Sequence, residues 1–296
     1  MRLESEGGYL GFLYEALPEV EPRENGPRPS SVAFRGTGVA VLHRDLENRE
    51  HDVQLMLKSS PMGSQSHGYE SQNAFLLSVA GEPIFIRTGR RDLYGSPHHR
   101  KWMWSTRSVN SVLVDGRGQL TRMAGPLGRI SRFSTSASFD HVEGEAAAAY
   151  GGRLKRFTRA VLFLKPDVIV MFDALEAKEP STFQWLLHAP NEMSVQGQTI
   201  RAAGQTAGAE LTLLAPTDLE IAQTDRFDPP PQSRVKLRQW HLTAGTRTRA
   251  RTAEIVALIR PHRLDRPLPA IETKVLRSAS MPTPAWAAPC PHFPDS

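Results

Sequence analysis

Short apolar runs rich in β-branched and aromatic residues recur along the chain, each closed by a glycine, proline or polar break. Val32-Ala33-Phe34, Val39-Ala40-Val41-Leu42 and Val53-Gln54-Leu55-Met56-Leu57 open the series. Residues 74–80 and Ile84-Phe85-Ile86 follow, joined by Gly81-Glu82-Pro83. Residues 111–114 end at Asp115-Gly116, and residues 159–164 meet 168–172 across Lys165-Pro166-Asp167. Residues 182–188, 211–214 and 255–259 complete the set. Runs of this length between such breaks read as strands, and the Gly-Glu-Pro and Asp-Gly breaks read as tight turns. Helical periodicity is nearly absent; the alanine-rich stretch 143–150 is the one local helix candidate. The pattern predicts an all-β fold, an antiparallel multi-stranded sandwich with a smaller C-terminal β subdomain.

Proline marks the expected boundaries, because it removes a backbone donor and blocks regular ladders. Pro18, Pro22, Pro27 and Pro29 make residues 1–31 a linker or the remnant of a preceding domain. The sandwich is expected over 32–225. Asp228-Pro229-Pro230-Pro231 opens a C-terminal β subdomain over 226–280, and the proline- and alanine-rich stretch 281–296 reads as a disordered tail.

Composition narrows the class. The 296 residues are 40% hydrophobic, enough for a sizeable core. Cys290 is the single cysteine, so no disulfide within the chain is possible. No run approaches the roughly 20 apolar residues of a membrane helix, and the start lacks the apolar stretch of a signal peptide. Localisation stays open at this point, with a periplasmic or extracellular place expected for a longer parent protein. The net charge of +5 attracts anions, and its distribution matters more than its sum. Between Arg87 and Arg107 stand six Lys and Arg residues against one acid, Asp92.

That basic stretch lies inside 66–119, where histidines, tyrosines, arginines, asparagines and two tryptophans alternate with the apolar runs. The marked words are His67-Gly68-Tyr69-Glu70-Ser71-Gln72-Asn73-Ala74-Phe75, Tyr94-Gly95-Ser96-Pro97-His98-His99, and the run from Asn110 to Gln119. With Gly81-Glu82-Pro83, Glu143-Gly144-Glu145-Ala146, the strand pair 159–173 and Trp185-Leu186-Leu187-His188, they resemble the central β-sheet domain of the heparinase II/III family of polysaccharide lyases, over about residues 30–188. The resemblance implies an acidic polysaccharide or oligosaccharide as substrate. It also implies a helical toroid domain as partner, which supplies further catalytic groups and has no counterpart in this sequence. Zinc-bearing members carry a His-x-His opening, an aspartate after the next strand pair and a histidine before the last strand's asparagine. Tyr69, Arg87 and Val109 stand at three of those positions, so no zinc of that type is expected and no other cofactor is implied. A different metal arrangement drawing on His67, Glu70, His98 or His99 is a weaker alternative.

The chemistry can be read from the residues as well. β-Elimination at a uronate requires neutralising its carboxylate, removing the C5 proton and protonating the leaving O4. His67 and Tyr94 are the candidates for proton transfer or positioning, since a phenol among positive neighbours can serve as base or acid. Arg87, Arg90 and Arg107 match a carboxylate, and Asn73, Asn110, His98 and His99 can add hydrogen bonds. Trp102 and Trp104 offer faces to sugar rings, on one side only if their segment is extended. Each has a structural alternative: a turn histidine, a packing tyrosine, turn asparagines, a solvated basic face, core tryptophans. Two other function classes remain: a non-catalytic carbohydrate-binding or assembly module, and nucleic-acid binding. The latter rests on charge alone, without a recognisable motif.

Overall fold

A computed structural model describes residues 29–65, 67–266 and 268. Five strands lie side by side in chain order: β1 (Val32–Phe34), β2 (Val39–His43), β3 (Val53–Lys58), β4 (Ala74–Val79) and β5 (Glu82–Phe85). A short β6 (Val112–Val114) follows, then β7 (Arg129–Thr135), β8 (Phe139–Glu145), β9 (Leu154–Leu164), β10 (Val168–Ser181) and β11 (Phe183–Ala189). The series ends with β12 (Ser194–Gln196), β13 (Thr199–Ala203), β14 (Ala207–Leu214), β15 (Leu219–Thr224), β16 (Trp240–Thr246) and β17 (Ala250–Arg263). Beside the five-stranded sheet stand an eight-stranded sheet, ordered β12-β13-β14-β17-β10-β9-β8-β7, and a four-stranded sheet, ordered β15-β16-β11-β6. All strand pairings are antiparallel, as the alternating pattern predicts.

The alternation does its expected work. In β3, Val53, Leu55 and Leu57 point inward while Gln54, Met56 and Lys58 face out. The five-stranded sheet lies against the eight-stranded one through β3 on β8 and β4 on β17, and β5 reaches β11 of the third sheet. Phe75, Phe85, Phe157, Phe163, Phe183 and Trp185 fill the space between them. Phe75 meets Phe85 edge-on at 6.1 Å, the geometry favoured by ring quadrupoles. Turns form where the sequence permits positive φ: Ala80-Gly81 at +52° and +77°, and Asp115-Gly116 at +51° and +70°.

Two expectations change. The alanine stretch makes no α-helix and only a short 3₁₀ helix. Residues up to Glu145 belong to β8, and only Ala147–Tyr150 turns, as one 3₁₀ turn. Its purpose is local: it buries Tyr150, whose hydroxyl donates to the Val112 carbonyl at 2.7 Å. Nor do residues 226–263 stand apart. β16 pairs with β11 and β15, and β17 runs between β10 and β14 at the centre of the largest sheet. The described residues up to Asp265 form one compact unit. The expected tail and all but the last residues of the expected linker lie outside the described residues.

One buried charge binds the sheets together. The Arg159 guanidinium, fully buried in β9, donates to both Asp173 oxygens at 2.7 and 2.6 Å. It also donates to the carbonyls of Asn73 and Asn110, which precede β4 and β6, at 2.6 and 2.8 Å. Trp185 of β11 adds its indole N–H to Asp173 at 2.8 Å. Every donor of this centre that the geometry assigns has an acceptor, the condition under which a buried ion pair is tolerated.

Candidate functional site

Seven residues of 66–119, with Arg122, line one cleft of about 360 Å³. Its walls come from four segments: His67 and Tyr69 from the loop before β4, Arg91 and Tyr94 from the loop after β5, His99, Met103 and Trp104 from a helical segment, and Arg122 from the turn after β6.

Asp92 fixes the second segment. Its carboxylate accepts from the Leu93 amide (2.7 Å), the Ser96 hydroxyl (2.5 Å) and the Gln232 amide (2.9 Å). Burial pushes this carboxyl up, but the Ser96 hydroxyl and the Gln232 and Leu93 amides outweigh it and hold the pKa down at about 2. The Ser96 hydroxyl accepts from the His99 amide at 3.0 Å and so starts the short helix His99–Met103. Gly95, at φ +79°, lets its amide turn back onto His99 Nδ1 at 2.8 Å. A nitrogen that accepts there carries no proton, so neutral His99 keeps its hydrogen on Nε2. Burial, then the Arg91 charge, lowers the His99 pKa below the usual histidine value.

Aromatic rings make the rest of the wall. Tyr94 is 67% exposed, with its ring 5.2 Å from that of His99, which lies 4.4 Å from Trp104. The Arg122 guanidinium sits 3.7 Å over the Trp104 ring, placed by a turn in which Arg122 takes φ +53°. Beneath the wall, the buried Glu70 carboxylate accepts from Thr121 at 2.5 Å and from the Thr106 amide and hydroxyl at 3.0 and 3.1 Å. Burial raises its pKa against those donors. Glu70 thereby locks the loop before β4 to the helical segment and does not line the cleft.

Of the residues singled out from the sequence, His67, Tyr94, His99 and Trp104 line this cleft together. The others lie elsewhere. Arg87 lies behind Tyr69, half-buried, with its guanidinium 3.7 Å from that ring's centre and Nη2 donating to the Met103 carbonyl at 2.9 Å. Asn73 and Asn110 are fully buried: Asn73 donates to the Gly144 and Phe157 carbonyls, and Asn110 to those of Phe75 and Ile86. Arg90 is exposed and outside the cleft. His98 donates to the Pro229 carbonyl at 2.8 Å and packs on Phe227. Trp102 and Arg107 line a different cleft of about 380 Å³, whose floor includes His188 and His241. The two tryptophans point to opposite sides because their segment is helical, and residues two apart on a helix lie nearly half a turn apart. Arg91 and Arg122 supply the cleft's cations in place of Arg87, Arg90 and Arg107. Arg91 had a signal, its place beside Arg90 in the basic stretch. Arg122 had none, since only a left-handed turn brings it back. A roomier cleft, about 760 Å³ near Leu127 and Phe157, holds none of these residues. Its Arg129 and Lys155 are paired with Glu145 and Glu176.

The side chains at the three altered positions do not fit a zinc ion. Zinc takes lone pairs from imidazole, thiolate or carboxylate. Arg87 brings a positive charge, and Val109, 3% exposed, brings an alkyl group. Among the described residues no three His, Cys, Asp or Glu side chains are grouped for a metal.

Comparisons with known proteins agree with this architecture. A family model described as heparinase II/III-like, C-terminal, matches residues 26–275. No curated protein sequence matches the chain significantly. Among solved structures, the heparan sulfate lyase HepC from Pedobacter heparinus superposes with a TM-score of 0.67 at 15% identity, over 82% of this chain and 38% of its own. A structure of heparinase III gives 0.66 at 16%, over 80% and 37%. The chain thus spans less than two-fifths of the length of these proteins. The chain belongs to the heparinase II/III-like C-terminal family.

Proposed function

We propose that this chain is the β module of a polysaccharide lyase that cleaves acidic, uronate-containing glycans by β-elimination. The site is completed by a helical toroid domain. One observation carries this reading: His67, Tyr94, His99, Arg91 and Arg122 line a single cleft with an aromatic wall. Arg91 and Arg122 neutralise the uronate carboxylate, which acidifies the C5 proton. A base removes that proton, the C5–H electrons form the C4=C5 double bond, the C4–O4 bond breaks, and an acid returns a proton to O4. Tyr94, exposed at the mouth among guanidinium groups, serves the proton transfers with His67. His99, held neutral with its proton on Nε2, donates a hydrogen bond to the sugar, and Trp104 backs the ring. The likeness to heparinase structures supports the β-module reading. Their greater length supports the need for a second domain.

The test mixes the chain, alone and with a helical toroid domain supplied separately, with uronate polymers. Binding and the ultraviolet absorbance of the unsaturated product are followed together. Absorbance that falls by a factor of about 100 or more in the Tyr94→Phe variant is the expected result. Binding without new absorbance in either form would leave a carbohydrate-binding module instead. Neither signal would remove both.

A further inference from the structure

Three segments meet behind the Tyr69 wall of the cleft. Residues 69–70 precede β4, residues 87–88 leave β5, and residues 103–109 precede β6. Backbone bonds lace them together: the Glu70 amide donates to the Trp104 carbonyl at 2.9 Å, and the Thr88 amide to the Ser108 carbonyl at 2.8 Å. These segments carry Tyr69, Arg87 and Val109, the positions at which the family resemblance implies ligands in zinc-bearing members. The junction exists here, but its ligands do not.

What stands at the junction is a cation of the protein's own. Arg87 places its guanidinium 3.7 Å over the Tyr69 ring and donates through Nη2 to Met103, so one side chain touches all three segments. A guanidinium stays charged under all ordinary conditions and is attracted to the face of an aromatic ring, more so when desolvated. Among the described residues no carboxylate pairs with Arg87, and its charge is met by the Tyr69 ring and the Met103 carbonyl. Its field reaches beyond the ring: burial, then the Arg87 charge, lowers the pKa of the Lys58 ammonium. Val109 fills the remaining position with buried alkyl surface.

We propose that the Arg87 guanidinium stands at this junction in place of a metal ion. It is a fixed internal cation that joins the three segments and positions Tyr69 as the cleft wall. Tyr69 supplies the π-face that accepts it, where a histidine would have supplied a lone pair. Arg87 is thus a positioning residue rather than a substrate ligand, and the module folds and works independently of zinc. This inference goes beyond the lyase reading and does not rest on it.

The test uses the full chain, its metal content and its melting temperature. Purified protein is expected to carry no stoichiometric zinc, and EDTA is expected to leave Tm unchanged. Arg87→Met, which keeps length but removes charge and donors, should lower Tm by about 5 °C. Arg87→Lys, a charged residue without the planar group, should recover only part of that loss. In the Tyr69→His/Arg87→Asp/Val109→His variant, zinc titration should show binding of one ion and a Tm that EDTA lowers. One zinc per wild-type chain, a wild-type Tm that drops with EDTA, or an Arg87→Met variant as stable as wild type would each overturn the proposal. If the triple variant folds by circular dichroism yet binds no zinc, the junction is not the metal's place and the proposal fails. If it does not fold, the wild-type and Arg87 measurements still decide.

Discussion

At the scale of single residues, Arg159 shows how a polar group can hold an apolar fold together. Its side chain and that of Asp173 are 0% and 1% exposed, so neither charge has water to fall back on. Removing the arginine leaves a buried carboxylate and two carbonyls short of donors, and loss of one partner of such a pair costs roughly 3–5 kcal/mol. Arg159→Met is therefore expected to lower unfolding free energy by about that amount in urea titrations. Arg159→Met/Asp173→Leu should recover part of the loss and not all of it. It removes the stranded carboxylate but still leaves the Asn73 and Asn110 carbonyls and the Trp185 N–H without Arg159 and Asp173. Equal stability of the single and double variants would show that the stranded charge is not what costs. The same centre explains why asparagines that looked suited to a carboxylate are elsewhere. Asn73 sits at φ +52° with its amide between the Gly144 and Phe157 carbonyls, a turn role the sequence allowed but could not rank above binding.

Elements were legible where burial imposed a pattern. β2, β3, β4, β10 and β17 announce themselves because alternate positions must be apolar to face the core. β7, β12 and β15 lie at sheet edges, and β12 has all three residues exposed, so no hydrophobic code marks them. β16 was hidden differently: Trp240 and Leu242 alternate with His241 and Thr243 over only a few residues, and the polar His241 is buried as Leu242 is, so polarity does not mark its burial. The site's composition was readable as a stretch of chemistry, but its geometry was not. Whether Trp102 and Trp104 face one way depended on a local helix that Asp92 and Ser96 nucleate through side-chain bonds. That dependence is testable. Asp92→Ala removes acceptors from Leu93, Ser96 and Gln232, which frees the loop carrying Tyr94 and His99 while the sheets stay intact. Trypsin should then cut after Arg90, Arg91, Arg100 or Lys101 about tenfold faster, because cleavage reports local opening. The global urea midpoint should move far less. A cleavage rate equal to wild type would mean that Asp92 does not hold the segment.

For the whole molecule, the buried histidines set an acid limit. His188 is driven down to about 3, first by burial and then by His241. His241 falls to about 4, with burial the main cause. Their Nδ1 atoms lie 3.3 Å apart, room for one shared proton, while Trp102 and Phe227 close over His241 at 4.6 and 4.7 Å. Folding therefore keeps both neutral at a pH where the unfolded chain would protonate them, near 6.5. The sign follows: above pH 6.5 neither state binds these protons and stability is flat. As pH falls from 6.5 towards 4, the unfolded state gains protons that the folded state refuses, and stability drops by up to roughly 1.4 kcal/mol per pH unit for each histidine. His99 and His141, also lowered, act in the same direction. Asp92 adds its loss only below the ordinary aspartate range. Glu70, whose pKa is raised, works the other way, since it gains a proton in the folded state first. Urea unfolding of wild type and His188→Gln/His241→Gln between pH 7.5 and 4.5 separates these contributions. Groups outside the pair cancel in the difference, so the variant should show the shallower slope even if it is less stable at pH 7.5. Parallel slopes would mean that the two imidazoles are not held neutral by the fold, and that the space beneath Trp102 and Phe227 admits water.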